Sequence, residues 1–287
     1  MLRHLLEVDD LAADELTTVL NLAEELDPPQ VLAGWGAALL FEKPSNRTRL
    51  SMELAIVQLG GHPVSLRNDE VGIDTRETAE DLARVFSGMC ALVGARVFEH
   101  SKLERMAASA SVPVINLLSD DAHPVQALAD LLTLRQRLGS LEGRSVAYVG
   151  DGNNVCRSLM AAAALAGMQM RVATPKGYEP PADGVAELTN DPAEAVGGVD
   201  AVYTDVWASM GQEADAARRR ADFAAFTVDD GLMARAAPDA IFLHCLPAHR
   251  GEEVAASVLE GPQSVVWQQS TNRMHAQRGL MIWLLSQ

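Results

Sequence analysis

The chain is short of cysteine, short of positive charge, and without a long uncharged apolar run. Its 3 cysteines in 287 residues, Cys90, Cys156 and Cys245, cannot all pair with one another and show no metal-ligand spacing. That excludes a disulfide framework and points to a reducing compartment. Lys and Arg number 23 against 39 Asp and Glu, giving a formal charge of -16 at pH 7. An excess of that sign argues against a general nucleic-acid or acidic-membrane surface. No segment reaches the roughly 18 consecutive apolar residues that a membrane-spanning helix needs. Met1 to Asp14 interleaves Arg3, His4, Glu7, Asp9 and Asp10 with its leucines, so a signal-peptide core is absent too. The expectation is a soluble, cytoplasmic protein that binds neither nucleic acid nor membrane.

Chemical signatures are missing as well. There is no H-E-x-x-H, no serine–histidine–acid order that compels a triad, and no ligand cluster for zinc. Gly150-Asp151-Gly152-Asn153-Asn154 opens like a dinucleotide-binding turn, but Val155 stands where the third glycine of G-x-G-x-x-G belongs. A nicotinamide cofactor is therefore disfavoured.

What is present is an alternation of short apolar runs and helical segments. With 48% hydrophobic residues the chain can bury a core of full size. Asp9-Asp10-Leu11 leads into a helix that runs to about Leu26 and stops at Asp27-Pro28-Pro29. A strand near Leu39 precedes a helix over Leu50 to Leu59, and Val64 to Leu66 reads as a short strand. A polar stretch, Arg67 to Thr75, leads to a helix from Arg76 to about Gly88. The runs Ala91 to Phe98 and Val112 to Leu117 flank a helical Ser101 to Ala110. A long helix begins at His123. Strands at 146–149, 168–174, 201–204 and 240–243 follow, with a helix from Ser158 to Leu165 and a last one from Arg273 to Leu285. This order predicts an α/β fold of two domains, each with a mostly parallel sheet flanked by helices, and an active site in the cleft between them.

Four constellations carry chemistry. Ser45-Asn46-Arg47-Thr48-Arg49, beside Lys43 and between strand and helix, suits a doubly charged oxyanion held by helix N–H groups and guanidiniums. The plainer reading is a capped surface helix with an Arg49–Glu53 pair. His123 and Gln126 lie three apart at a helix start, within reach of one ligand or serving as a cap. Asp205 ends a strand, where it could hold an ammonium group or cap a helix, and the asparagines after Gly152 suit a small zwitterion or a tight turn. His244-Cys245-Leu246-Pro247 follows another strand, and a buried inert thiol is the common fate of such a cysteine.

Together these segments resemble the aspartate/ornithine carbamoyltransferase family. Phe41-Glu42-Lys43-Pro44-Ser45-Asn46-Arg47-Thr48-Arg49 is similar to its carbamoyl-phosphate signature and His123-Pro124-Val125-Gln126 to its second motif. Asp205-Val206-Trp207-Ala208-Ser209-Met210-Gly211 and His244-Cys245-Leu246-Pro247 resemble the amino-acid half in ornithine-using members, and the likeness continues to Asn272-Arg273-Met274-His275-Ala276-Gln277. The resemblance implies a carbamoyl-phosphate-binding domain over 1–122, an interdomain helix over 123–139, and an ornithine-binding domain over 140–265. The C-terminal helix, 266–287, would pack back on the first domain.

As the resemblance implies, Ser45, the Asn46 backbone, Arg47, Thr48 and Arg96 grip the phosphate. His123, Arg273 and Thr48 face the carbamoyl oxygen, while Gln126 and the Leu246 backbone accept from the carbamoyl nitrogen. Asn154, Asp205, Ser209 and Met210 hold the α-amino and α-carboxylate groups of L-ornithine, with its δ-amine beside Cys245. Arg47, Thr48, Arg96, His123, Cys245 and Arg273 form the catalytic set. No metal or organic cofactor is implied, because carbamoyl phosphate is already activated. Also implied are ordered binding with domain closure and a homotrimer, with larger assemblies possible, in which a loop around Glu70 completes a neighbour's phosphate site.

The chain departs from the family pattern at several points. Asn46 replaces a usual threonine. Asn68-Asp69-Glu70-Val71-Gly72 stands where Ser-x-Gln-Leu-Gly is usual, bringing a carboxylate toward a phosphate unless Arg67, Arg76 or a proton offsets it. Ser270-Thr271 is less acidic than usual, and the stretch between Pro180 and Asn190 is short. These departures leave two alternatives: a noncatalytic small-molecule-binding or regulatory paralogue, and a carbamoyltransferase that uses another amine.

Overall fold

The computed structural model describes residues 2–182, 185–208 and 215–287. The chain forms two α/β units, residues 1–132 with 271–287, and residues 133–270.

The first unit is built from helix α1 (Ala13–Ala23), strand β1 (Gly36–Phe41), helix α2 (Arg47–Gln58), strand β2 (His62–Arg67) and the short helix α3 (Asn68–Val71). Helix α4 (Ala79–Ser87), strand β3 (Cys90–Arg96), helix α5 (His100–Ser109) and strand β4 (Val114–Leu118) complete its sheet layer. The four strands are parallel in the order β2-β1-β3-β4. Central β1 reads Gly-Ala-Ala-Leu-Leu-Phe and is buried from Ala37 to Phe41, as a strand covered on both faces must be. Leu40, Val93 and Ala95 pack with Leu82, Ala83, Leu103 and Met106 of α4 and α5 in one continuous core. α2 starts at Arg47, three residues before the Leu50 expected from apolar pattern, so the two arginines lie inside its first turn.

Helix α6 (Pro124–Leu138) carries the chain from the first unit into the second. There follow strand β5 (Ser145–Val149), helix α7 (Asn154–Leu165), strand β6 (Gln169–Ala173), strand β7 (Glu187–Thr189), helix α8 (Pro192–Val196) and strand β8 (Ala201–Thr204). Helices α9 (Ala216–Asp222) and α10 (Asp230–Met233), strand β9 (Ile241–His244) and helix α11 (Ala256–Leu259) end the unit. Its five strands are parallel in the order β7-β6-β5-β8-β9. The sheet reverses direction of growth at β5 and β8, so the loops after both strands open at one sheet end, where ligands of such folds bind. Trp207, Phe223 and Phe226 pack beside Phe242 and Val254 in this unit's core. Trp207 stacks on Phe223 with ring centroids 5.9 Å apart.

The last helix, α12 (Val266–Leu285), starts seven residues before the Arg273 expected from apolar pattern and at the 266 that the resemblance implies. From Thr271 onward it belongs to the first unit. Gly279 lets it press against α1, where a Cβ would stand 2.5 Å from both Val19 O and Ala23 N. Arg278 Nη2 donates to Ala23 O at 3.0 Å and Glu25 O at 2.5 Å, satisfying carbonyls at the C-terminal end of α1.

Candidate active site

In the first unit, the loop leaving β1 is held by two charge pairs, one of them buried. Glu42 Oε1 meets Lys102 Nζ at 2.8 Å, with both side chains more than nine-tenths buried, and Glu42 Oε2 accepts from Phe98 N at 2.8 Å. Lys43 pairs with Asp120 and lies 4.2 Å over the Phe98 ring. Thus braced, the loop delivers Ser45 and Asn46 to the start of α2. Asn46 occupies the N-cap position without a side-chain cap bond, so the helix's positive end and first-turn N–H groups are not screened by that side chain.

Cationic groups converge on this terminus. Arg96, at the end of β3, places Nη1 3.5 Å from both Ser45 Oγ and Thr48 Oγ1. Arg273 of α12 donates through Nη2 to Thr48 Oγ1 at 2.5 Å and through Nη1 to Gln126 Oε1. His123 is buried, and that burial, reinforced by Arg273, Arg96 and Arg47, holds its pKa well below the ordinary 6.5. A neutral imidazole results, able to donate one hydrogen bond without carrying charge. Gln126 is also buried, and its Nε2 donates to Asp130 Oδ1 at 2.7 Å. The arrangement is suited to a dianion at the helix start with a polarised carbonyl beside it.

In the second unit, Asp205 follows β8 and is buried. Its Oδ1 accepts from Cys245 Sγ and Val206 N, at 2.9 and 2.8 Å, and its Oδ2 accepts from Asn153 Nδ2 at 2.9 Å. Asn153 also caps α7, its Oδ1 accepting from Val155 N and Cys156 N. Asn154 is thereby the first residue of α7, which starts four residues earlier than the expected Ser158. The glycine turn exists for close approach: a Cβ on Gly152 would stand 2.3 Å from Pro180 N. Arg219 ties the same turn to the end of the Asp205 segment, donating to Asp151 Oδ2 and Trp207 O, both at 2.8 Å.

The Cys245-Leu246 segment is held by His244. Leu246 takes a left-handed φ of 60°, unfavourable for a branched side chain, and its N–H donates to His244 Nδ1 at 2.8 Å. Nδ1 is therefore the acceptor, which places the proton on Nε2, 3.2 Å from the fully buried Glu253 Oε1. Among the described residues, two groups bring metal-ligand types within 4.8 Å, Asp205-His244-Cys245 and His249-Glu252-Glu253. In the first, both His244 nitrogens and the thiol are engaged in the hydrogen bonds just described. In the second, Glu253 Oε1 serves His244 and His249 N, while Glu252 pairs with Arg220 at 2.9 Å. Both therefore act as hydrogen-bonded supports.

Ser45, Thr48, Arg96, His123, Gln126 and Arg273 thus come together in the first unit, with Arg47 acting on His123 through its charge. Cys245 meets Asp205 in the second, which also holds Leu246 and Asn154. Ser209 and Met210 lie outside the described residues. Glu70 joins neither set: its Oε2 turns back to accept from Arg67 N at 2.9 Å, and Arg76 Nη1 donates to its backbone oxygen at 3.3 Å. Cys156 is fully buried, and burial pushes its thiol pKa well up. Motif reading missed Asp130 and Glu253, and it marked Asn153 with the other asparagine of its turn but not its bond to Asp205. The one available signal was Asp130 at i+4 from Gln126, on the same helix face.

A parallel-sheet unit with an arginine-lined helix terminus and a second with an acid–thiol pair at its strand ends define a class of enzyme that transfers a group from an anionic donor. The chain belongs to the aspartate/ornithine carbamoyltransferase family: its carbamoyl-P binding domain profile matches residues 3–136 and its Asp/Orn binding domain profile residues 142–284. An ornithine carbamoyltransferase from Acidothermus cellulolyticus is 50% identical, the alignment covering 99% of this chain and 97% of the relative. Solved structures agree. The ornithine carbamoyltransferase from Pyrococcus furiosus superposes with a TM-score of 0.94 at 44% identity, covering 99% of this chain and 97% of that one. That from Thermus thermophilus gives 0.92 at 46%, covering 99% of each.

Proposed function

We propose that this enzyme transfers the carbamoyl group of carbamoyl phosphate to the δ-amine of L-ornithine, giving L-citrulline and phosphate. The observation that carries the reading is the convergence of Arg96 and Arg273 on Thr48 at the start of α2, beside a neutral His123. Ser45, the Asn46 backbone, Arg47, Thr48 and Arg96 take the phosphate. Arg273, His123 and Thr48 face the carbonyl oxygen, and Gln126 with the Leu246 backbone accepts from the carbamoyl nitrogen. Asn154, Asp205, Ser209 and Met210 receive the amino acid's α-groups, with Cys245 beside the δ-amine.

The δ-nitrogen lone pair attacks the carbonyl carbon. Negative charge grows on the oxygen where donors are already aimed, which is the main electrostatic source of acceleration. The carbon–oxygen bond to phosphorus then breaks, its electrons leaving with phosphate, which takes up the proton lost by the attacking nitrogen. Arginines stay charged throughout, so Arg47 and Arg96 neutralise the leaving group and do not protonate it.

The assembly proposed is a homotrimer, with residues 68–72 serving a neighbour's phosphate site. Leu50, Leu54 and Val57, at one-turn spacing on α2, are exposed together, an apolar stripe suited to a second copy. Glu70 remains exposed, and the bond that its carboxylate accepts from Arg67 N offsets part of the repulsion that its sequence position implies. A reducing, cytoplasmic location is supported by three cysteines of which none is in a disulfide.

Citrulline formation by the purified protein from carbamoyl phosphate, with L-ornithine, L-lysine and putrescine as parallel acceptors, tests the reaction. Ornithine-dependent product is expected; turnover with putrescine alone would reassign the acceptor. Sedimentation equilibrium should give three times the chain mass, and a monomer would refute the assembly.

A further inference from the structure

We propose that Asp130 is a positioning and specificity residue: it fixes which end of the Gln126 amide faces the donor substrate, and so selects an acyl phosphate whose acyl substituent is NH2. The inference rests on the reaction assigned above. A glutamine amide has an oxygen and an NH2 of nearly equal size, so shape alone does not orient it. Here its two neighbours are chemically opposite. Asp130 lies one helical turn along α6, fully buried, with a carboxylate oxygen 2.7 Å from Gln126 Nε2. Arg273, which can only donate, meets Gln126 Oε1.

Flipping the amide would set its oxygen against the Asp130 carboxylate and its NH2 against the Arg273 guanidinium. Two favourable contacts would become two repulsive ones in a buried site, where each counts for more than in water. The amide is therefore locked with its oxygen toward Arg273, the group that contacts Thr48 at the start of α2. An oxygen presented there accepts from a substrate N–H. A methyl of similar size in that position, as in acetyl phosphate, would leave the oxygen without a donor. Arg273 alone would favour the same amide orientation, but it also has to reach the carbonyl oxygen. Asp130 keeps the orientation independent of that movement.

The test compares two donors that share the phosphate and differ at the acyl substituent. In Asp130→Asn, whose amide can pair with Gln126 in either orientation, the KM for carbamoyl phosphate should rise by about 3- to 10-fold, short of the full loss of a buried hydrogen bond to substrate because Arg273 still favours the same orientation. The inhibition constants of acetyl phosphate and inorganic phosphate should stay within about twofold, since the phosphate contacts are untouched. In a Gln126→Ala background, Asp130→Asn should add nothing. A reciprocal exchange supplies the rescue: Gln126→Glu alone opposes two carboxylates, whereas Gln126→Glu with Asp130→Asn restores a donor–acceptor pair and an outward-facing oxygen. That double variant should recover discrimination between the two donors.

Parallel loss of both donors in Asp130→Asn, an unchanged carbamoyl phosphate KM, or a folded double variant that fails to recover discrimination would overturn the proposal. Calorimetric binding of the two donors to the wild-type protein separates this outcome from failure of the assigned reaction. Preference for carbamoyl over acetyl phosphate can be present or absent there without any turnover.

Discussion

At the scale of single residues, the candidate site in the second unit turns on an asparagine with two tasks. Asn153 Oδ1 caps α7 while its Nδ2 orients Asp205, whose other oxygen receives the Cys245 thiol. Two substitutions separate the tasks. Asn153→Ala removes both and should cost about 1 kcal/mol of stability through the lost cap, together with a raised ornithine KM. Asn153→Asp keeps an acceptor for the cap but opposes a carboxylate to Asp205, so ornithine use should suffer while the melting temperature falls less. The carbamoyl phosphate KM should hold in both, since that set lies in the other unit. Equal losses for both substrates would show that Asn153 supports the fold alone. Residues of this kind mark where sequence reading stopped. Ser45, Arg47, Thr48, His123 and Cys245 stand in contiguous motifs and could be read directly. Asp130 and Glu253 stood in no motif, and Asn153 was read as a site asparagine without its partner: its hold on Asp205, 52 residues away, leaves no local spacing to find.

At the scale of elements, the parallel strands were legible because buried strands of this type read as continuous apolar runs. β7 was not: Glu187-Leu188-Thr189 is a three-residue edge strand without alternation. α12 was recognised late in its course for the opposite reason. It buries Gln269, Asn272, Arg273, Gln277 and Arg278, so its inward face is not an apolar stripe and periodicity finds only the final turns. Where a helix carries part of a site, local pattern and fold disagree, as expected of functional positions.

The same helix supplies a stability prediction. Gly279→Ala improves helix propensity by about 1 kcal/mol, yet the added methyl meets α1 backbone at 2.5 Å, with no flexible side-chain end to move aside. Overpacking of that kind costs about 1–3 kcal/mol, so a net loss is expected, read as a lower urea midpoint with unchanged m. A gain would mean that α1 and α12 separate easily. Arg278, which bonds the α1 carbonyls from the next position, argues that they do not.

For the whole molecule the informative variable is pH. Burial lowers the pKa of His4, His123 and His275 from the ordinary 6.5, with Arg273, Arg96 and Arg47 adding to the effect at His123 and Arg278 at His275. Asp10 opposes the shift at His4. In each case the native state binds its proton later than the unfolded chain as pH falls. The stabilisation is therefore complete above 6.5 and is lost as pH drops from there toward the depressed native value, because the unfolded state takes up the proton first. His123 has the deepest burial of the three and extends this loss furthest, with a slope of at most about 1.4 kcal/mol per pH unit. Carboxylates held low by partners, Asp74 by Arg105 and Asp200 by Ser145 and Arg144, act in a separate and more acidic window. Their stabilisation is present above the ordinary carboxylate value of 3.8 and fades below it. Urea midpoints taken from about pH 7.5 to about pH 5 should accordingly fall through the histidine range, well before Asp74 and Asp200 titrate. His123→Asn, which keeps a neutral hydrogen-bonding group in place of the imidazole, should flatten that fall while His4→Asn removes a smaller share. A slope unchanged by His123→Asn would show that the imidazole titrates alike in the native and unfolded states, so that neither burial nor the neighbouring arginines keep it a neutral donor as the pH falls.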